Sequence, residues 1–454
     1  MLRNNKLILR IIYYLFLVIL TFFYLTDSSY TILKISLVFS FLASLYSITK
    51  NNYLLIIFLL MYGAFFVIPL VFGETNELKY DYLLQSMSLS NQQLKKVYFI
   101  NIFYLIFISI FNYSPIITKI NKDYFSNKSY FKASKKFEIF IYFLFIYISI
   151  FYFKKISAIQ SEGYAAYHLG IISVKKNLFF VFFELIFIFG CYYGIYLRKK
   201  SIALIFILFN IYILATGMRM PFIINMILLL YVFNQEYLNQ IKSKLIYYIS
   251  YFILIFLLPP FFLISNRFRN NALDDFSIYD AVKDSYNELF IILGITLNTL
   301  KGAVIMKEID SIDISIFSRF TTTILSIINK FTSGDQLSMT EKLDYGSFGS
   351  VLTHHFNSTL YYDGLTIGSS FIAETYLAFG FFGLILAAFF HVKISNILCS
   401  INLRTNFFGL IFFFSFGYWF LNSTRNDFIG WIPLAIAYVL VYNLFNKIIL
   451  KTKI

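Results

Sequence analysis

SNRFRNNALDD, residues 265 to 275, opens a stretch that closes with LTHHFNSTLYYDGLTIGSS, residues 352 to 370, and the fold turns on how that stretch is read. From Ser265 to Ser370 runs the only long segment that cannot sit in lipid, while most of the chain alternates long apolar runs with short polar connectors. Apolar runs of about 20 residues are what helices need to cross a hydrocarbon core of ~30 Å. Segment 265–370 is therefore expected to form a helical cap outside the membrane that holds a reaction site.

The composition agrees. Of 454 residues, 59% are hydrophobic and only 13% charged, which leaves too little polar surface to cover a soluble globule of this size. An all-α, polytopic membrane protein with about 12 transmembrane helices is expected. Spans are read near 7–25, 29–48, 53–72, 98–113, 139–153, 177–197, 201–217, 221–235 and 245–264, then 371–390, 406–421 and 428–446. The basic start before residue 7 resembles a signal sequence without a small-residue cleavage site, so the first run is read as an uncleaved span. Three parts follow: 1–264 with nine spans, the extracytoplasmic loop 265–370, and 371–454 with three spans.

Alternate connectors carry unequal positive charge. With the N-terminus inside, the inner set holds nineteen Lys and Arg against nine in the short outer set, so both termini are expected in the cytoplasm and 265–370 on the periplasmic side. The formal charge of +15 is spread among connectors rather than gathered on one polar face, which argues against nucleic acid and for membrane anchoring. Inside 265–370, the runs Leu289 to Leu300 and Ile314 to Ile328 read as amphipathic or re-entrant helices at the membrane surface.

Several chemistries drop out. Cys191 and Cys399 are far apart and suggest neither a disulfide framework nor a metal site. No Gly-rich phosphate loop is present, and the longest cytoplasmic connector, about 114–137, is too short for a nucleotide-binding domain. No cofactor and no metal are expected.

Arginine is scarce beside lysine, yet four arginines cluster on the expected outer side: Arg219, Arg267, Arg269 and Arg425. The guanidinium is a planar, permanently charged fork suited to phosphate and pyrophosphate. Arg219 lies between Gly217 and Pro221, and Arg425 has Asp427 close enough for a local ion pair. His354 and His355 could supply a base near neutral pH, but adjacent residues face different ways on a helix and make no zinc pair. Glu374, four residues inside the expected span 371–390, is the intramembrane carboxylate most in need of a partner.

Three stretches resemble the Wzy-type polysaccharide polymerases that extend O-antigen and related glycans. They are TGMRMPFIINMILLL (216 to 230), LTIGSSFIAETYLAFGFFGLIL (365 to 386) with Gly380 and Gly383, and NSTRNDF (422 to 428). The resemblance covers nearly the whole chain and implies a glycosyltransferase in the bacterial inner membrane. Such an enzyme moves a growing glycan from undecaprenyl diphosphate to a new carrier-linked repeat unit, drawing energy from the glycosyl diphosphate bond. It implies that the four arginines hold the leaving pyrophosphate and that His354, His355, Glu374 or Asp427 assists the acceptor hydroxyl. It also implies membrane lipids, a flippase and a chain-length regulator as neighbours. Two alternatives are an O-antigen ligase, which the outer histidines would suit, and a lipid-linked glycan flippase, which the missing internal repeat disfavours.

Overall fold

The computed structural model describes residues 30–48, 52–72, 89–113, 135–162, 178–237, 296–308, 324–325, 348–362, 369–401, 403 and 407–424. All the regular structure among them is helical, as apolar segments in lipid demand, because a helix satisfies its own backbone hydrogen bonds. In chain order the helices are α1 (Tyr30–Ser47), α2 (Tyr53–Phe72), α3 (Asn91–Tyr113), α4 (Lys135–Glu162), α5 (Leu178–Tyr196), α6 (Lys200–Ala215) and α7 (Arg219–Tyr237). Then come α8 (296–308), α9 (Phe348–Phe356), α10 (Ser358–Tyr362), α11 (Phe371–Ser400) and α12 (Phe407–Asn422). Nine of the expected spans fall on described helices; those near 7–25, 245–264 and 428–446 lie outside the described residues. Among the described residues, five helices are long and apolar enough to cross a membrane: α1, α2, α3, α4 and α11.

Small polar residues let α1 and α3 approach closely. Ser36, Ser40, Ser44 and Ser47 recur every three or four residues and are buried, while Ile35, Phe39, Leu42 and Tyr46 on the other face are exposed. The Ser44 hydroxyl reaches the Leu105 carbonyl at 2.8 Å and Asn112 donates to the Ser47 carbonyl at 2.6 Å. Small residues and interhelical hydrogen bonds are how helices associate where lipid removes the hydrophobic drive. Asn52 caps α2 on Leu55 N at 3.2 Å and donates to Ser395 and Asn396, both at 2.9 Å, tying α2 to α11.

The second group, α4 to α7 with α12, is held by rings. Tyr192 of α5 stacks on Phe414 of α12 with centroids 4.3 Å apart, and Tyr231 of α7 stacks on Phe413 at 4.9 Å. Helix α6 ends in a left-handed Gly217 (φ 83°), with Gly217 N donating to Leu214 O and Met218 N to Ile213 O. That pairing satisfies the orphan carbonyls of a helix end and launches α7 at Arg219.

Helix α11 corrects the expected span 371–390. Gly380 has φ 61° and ψ −141°, a region that only glycine occupies readily. In a straight helix Phe371 and His391 would be about 30 Å apart. Their rings are 5.1 Å apart, so the chain folds back on itself at Gly380. The first arm, 371–379, is too short to span, whereas 381–400 is long enough. Gly383 is needed at the fold because a Cβ there would meet the Thr375 carbonyl oxygen of the opposite arm.

Helix α8 runs beside the first arm. Thr299 and Ser370 hydroxyls are 3.0 Å apart, and Lys307 Nζ donates to Leu377 O at 3.0 Å, so the two segments point the same way. The Leu377 carbonyl lies in the turn before the break, where a cation replaces a lost helical donor. Glu308 then accepts from Gln93 at 2.8 Å and pairs with Lys96 of α3 at 3.0 Å. Leu297, Leu300, Ala303 and Val304 are buried, so this helix is packed into the bundle and does not lie on a surface. Of the run Leu289 to Leu300, expected to be an amphipathic or re-entrant helix, residues 296–300 are described and open this helix.

Candidate functional site

The fold-back sets a polar junction half-way along the bundle. His391, ten residues beyond the turn and so about 15 Å from it, meets the start of the first arm, the middle of α3 and the end of α12. Ser370 caps the first arm by accepting from Ala373 N at 3.2 Å. Phe371 N donates to Ser423 O at 3.1 Å, which fastens that arm to the residue following α12.

His391 is fully buried and hydrogen-bonded on both ring nitrogens. The Ser423 hydroxyl donates to Phe420 O at 2.7 Å and is hydrogen-bonded to His391 Nε2 at 2.9 Å. Nδ1 is hydrogen-bonded to the Tyr104 hydroxyl at 2.7 Å, and one ring nitrogen is protonated in the neutral imidazole. Phe58 of α2 covers the imidazole with centroids 4.4 Å apart. Tyr62 donates to Asn101 in the next layer of the same interface. This histidine joins four segments; it was missed in the sequence, where it is one polar letter inside LAAFFHVKI.

Glu374 sits in the first turn of the short arm, buried, with the Ser369 hydroxyl donating to its Oε1. It is not four residues inside a spanning helix but near the start of the folded-back arm. A carboxylate is favoured there by the exposed N–H groups of the helix start. Five buried side-chain polar atoms have no partner among the described residues: Asn112 Oδ1, Thr296 Oγ1, Asn396 Nδ2, Ser415 Oγ and Asn422 Oδ1.

The other expected site residues divide. Arg219 opens α7 directly after the Gly217 turn. His354 is half-buried on α9 with its ring edge-on to Tyr361 and Tyr362, at 5.7 and 5.6 Å, while His355 is exposed beside Phe356. Among the described residues no hydrogen bond joins either histidine to Glu374. Arg267, Arg269, Arg425 and Asp427 lie outside the described residues, although Arg425 directly follows Thr424 in sequence. No group of three or more His, Cys, Asp or Glu that could hold a metal occurs among the described residues.

The chain matches no curated protein and no solved structure. The model of the family described as O-antigen polysaccharide polymerase Wzy matches residues 8–453. That match takes in both helix groups, the fold-back at Gly380 and all eight expected site residues. With an apolar helical architecture behind it, the chain belongs to the O-antigen polysaccharide polymerase Wzy family.

Proposed function

We propose that the protein is a glycosyltransferase that polymerises undecaprenyl-diphosphate-linked repeat units on the outer face of the bacterial inner membrane. The observation that carries this reading is the buried Glu374 at the start of a folded-back arm, in a chain that belongs to the Wzy family throughout its length. In the reaction the acceptor sugar hydroxyl attacks C1 of the donor glycan, the C1–O bond to the diphosphate breaks, and undecaprenyl diphosphate leaves with the bonding electron pair. Glu374 takes the hydroxyl proton. Arg219, Arg267, Arg269 and Arg425 bind the leaving diphosphate, with Asp427 orienting Arg425, and His354 or His355 contacts the sugars. Membrane lipids surround the bundle, and a flippase and a chain-length regulator work beside it. Both termini face the cytoplasm.

Glutamine is nearly the shape of glutamate and keeps an acceptor for Ser369, yet it cannot take a proton. Glu374→Gln should therefore lower polymer formation about 100-fold, the lower range for removal of a general base, at unchanged membrane abundance. The assay uses purified full-length protein and a short-chain polyprenyl diphosphate-linked repeat unit, with product length read on a gel. Wild-type rates from Glu374→Gln would remove the carboxylate from the chemistry. Failure of the wild-type protein to lengthen the substrate would remove the polymerase reading itself.

A further inference from the structure

The first arm of α11, 371–379, is mostly ends, so a large share of its N–H and carbonyl groups find no partner inside it. What it touches must therefore hold it. At its start Ser370 caps it and Phe371 N bonds the Ser423 carbonyl. At its other end the break at Gly380 takes away the helical donors of the last carbonyls, and Lys307 Nζ supplies one to Leu377 O at 3.0 Å. Lys307 belongs to α8, which also reaches the cap, with the Thr299 and Ser370 hydroxyls 3.0 Å apart. Residues 299 and 307 are about two turns apart on α8, and residues 370 and 377 about two turns apart on the arm, so both contacts form in one register. Glu374, engaged by the Ser369 hydroxyl, lies between the two contacts, about one turn from each.

We propose that Lys307 is a positioning residue for polymerisation: with Thr299 it makes α8 a splint that fixes the height and turn of the arm carrying Glu374. This rests on the reading of Glu374 as the base. A base must stand within hydrogen-bond reach of the proton it removes, and a misplacement of about 1 Å can cost roughly 100-fold in rate. Ala378 and Phe379 alone separate Leu377 from Gly380, so slack in the reversal reaches the arm first at the carbonyl that Lys307 holds. A cation suits this place better than a neutral donor, because the carbonyl end of a helix is the negative end of its dipole. Glu308, next along α8, projects about 100° round the helix from Lys307. It fastens the splint to α3 through Gln93 at 2.8 Å and Lys96 at 3.0 Å. That partly exposed ion pair is the weaker tie, since water and salt screen it.

Kinetics of the purified full-length protein on a short-chain polyprenyl diphosphate-linked repeat unit test the splint. Lys307 is exposed at the end of α8, so it can be changed without opening the core. Lys307→Met keeps the stem and loses the donor. Its kcat should fall about 10-fold, the lower range for one hydrogen bond from a charged group, with KM changed less than about threefold. Lys307→Arg, which can still donate to Leu377 O, should recover most of kcat. The deciding measurement is a double-mutant cycle. In Glu374→Gln protein, where no base remains to be placed, Lys307→Met should change the residual rate less than about twofold. Thr299→Val, which removes the other contact at nearly equal volume, should behave alike in both backgrounds and decides the matter if Lys307→Met is poorly produced. A further 10-fold loss in the Glu374→Gln background, or wild-type kcat from Lys307→Met, overturns the positioning role and leaves the polymerase reading standing. Wild-type rates from Glu374→Gln overturn it through the base, and an inactive wild-type protein removes it together with the polymerase reading.

Discussion

The reversal at Gly380 can be perturbed without touching any side chain. A Cβ at this position has no heavy atom within 4 Å, so alanine meets no steric obstacle. What remains is the backbone: φ 61° with ψ −141° strains any residue with a Cβ by about 1–3 kcal/mol. At ~2 kcal/mol the folded-back arm loses roughly thirtyfold in population against conformers in which it is straightened or displaced. Ser370 and Glu374 travel with that arm, so Gly380→Ala should cut polymer formation by a comparable factor while the second arm stays packed on α3.

The fold-back itself is measurable beside activity. Cysteines at Phe371 and His391, in protein with Cys191 and Cys399 replaced by serine, should join through a short bifunctional thiol reagent, because the native rings are 5.1 Å apart. A straight helix separates those residues by about 30 Å and gives no such product. Wild-type polymer from Gly380→Ala, with no 371–391 cross-link, would refute the reversal.

Tyr104→Phe removes the hydroxyl that is hydrogen-bonded to the buried His391 Nδ1. The expected cost is about 1–3 kcal/mol, read as a lower unfolding midpoint in detergent. Arg219→Lys keeps the charge but loses the paired hydrogen bonds of the guanidinium. If Arg219 holds diphosphate, glycan length should collapse by ~100-fold in rate at normal protein level; long chains from the lysine variant would make it a headgroup anchor.

Helix-forming runs were the legible part. TGMRMPF gave away its turn because Gly217 and Pro221 punctuate it, and the structure has a glycine-capped helix end there followed by a new helix. The run FIAETYLAFGFFGLILAAFF was misread as one span because hydropathy averages over a reversal that depends on a single dihedral. Gly380 and Gly383 were visible as a pair, but nothing in the letters says that the first supplies a positive φ and the second lets two backbones touch. The run Leu289 to Leu300 reads as an amphipathic or re-entrant helix because it is short and polar for a span, and its letters do not show that a helix continues to residue 308. In the fold, Lys307 and Glu308 are consumed by Leu377 O and Lys96, contacts between segments far apart in sequence.

A polar group half-way through an apolar bundle is expensive unless it is satisfied or in use. The fold-back provides a way to put several there at once. A spanning helix can show only one or two residues at a given depth on a given face, whereas α8 and the first arm each begin at that depth. They bring Thr296, Thr299, Ser369, Ser370 and Glu374 to the place where His391 and Ser423 already lie. The buried hydrogen bonds from Tyr104 through His391 to Ser423 then act as the fixed wall of the junction, since each of their groups has its partner within the protein. Glu374 stands on the arm that the turn at Gly380 folds back, with the Ser369 hydroxyl donating to it. A fixed, hydrogen-bonded wall with a carboxylate at the same depth suits a site that must accept a polar substrate, and here both follow from the turn at Gly380.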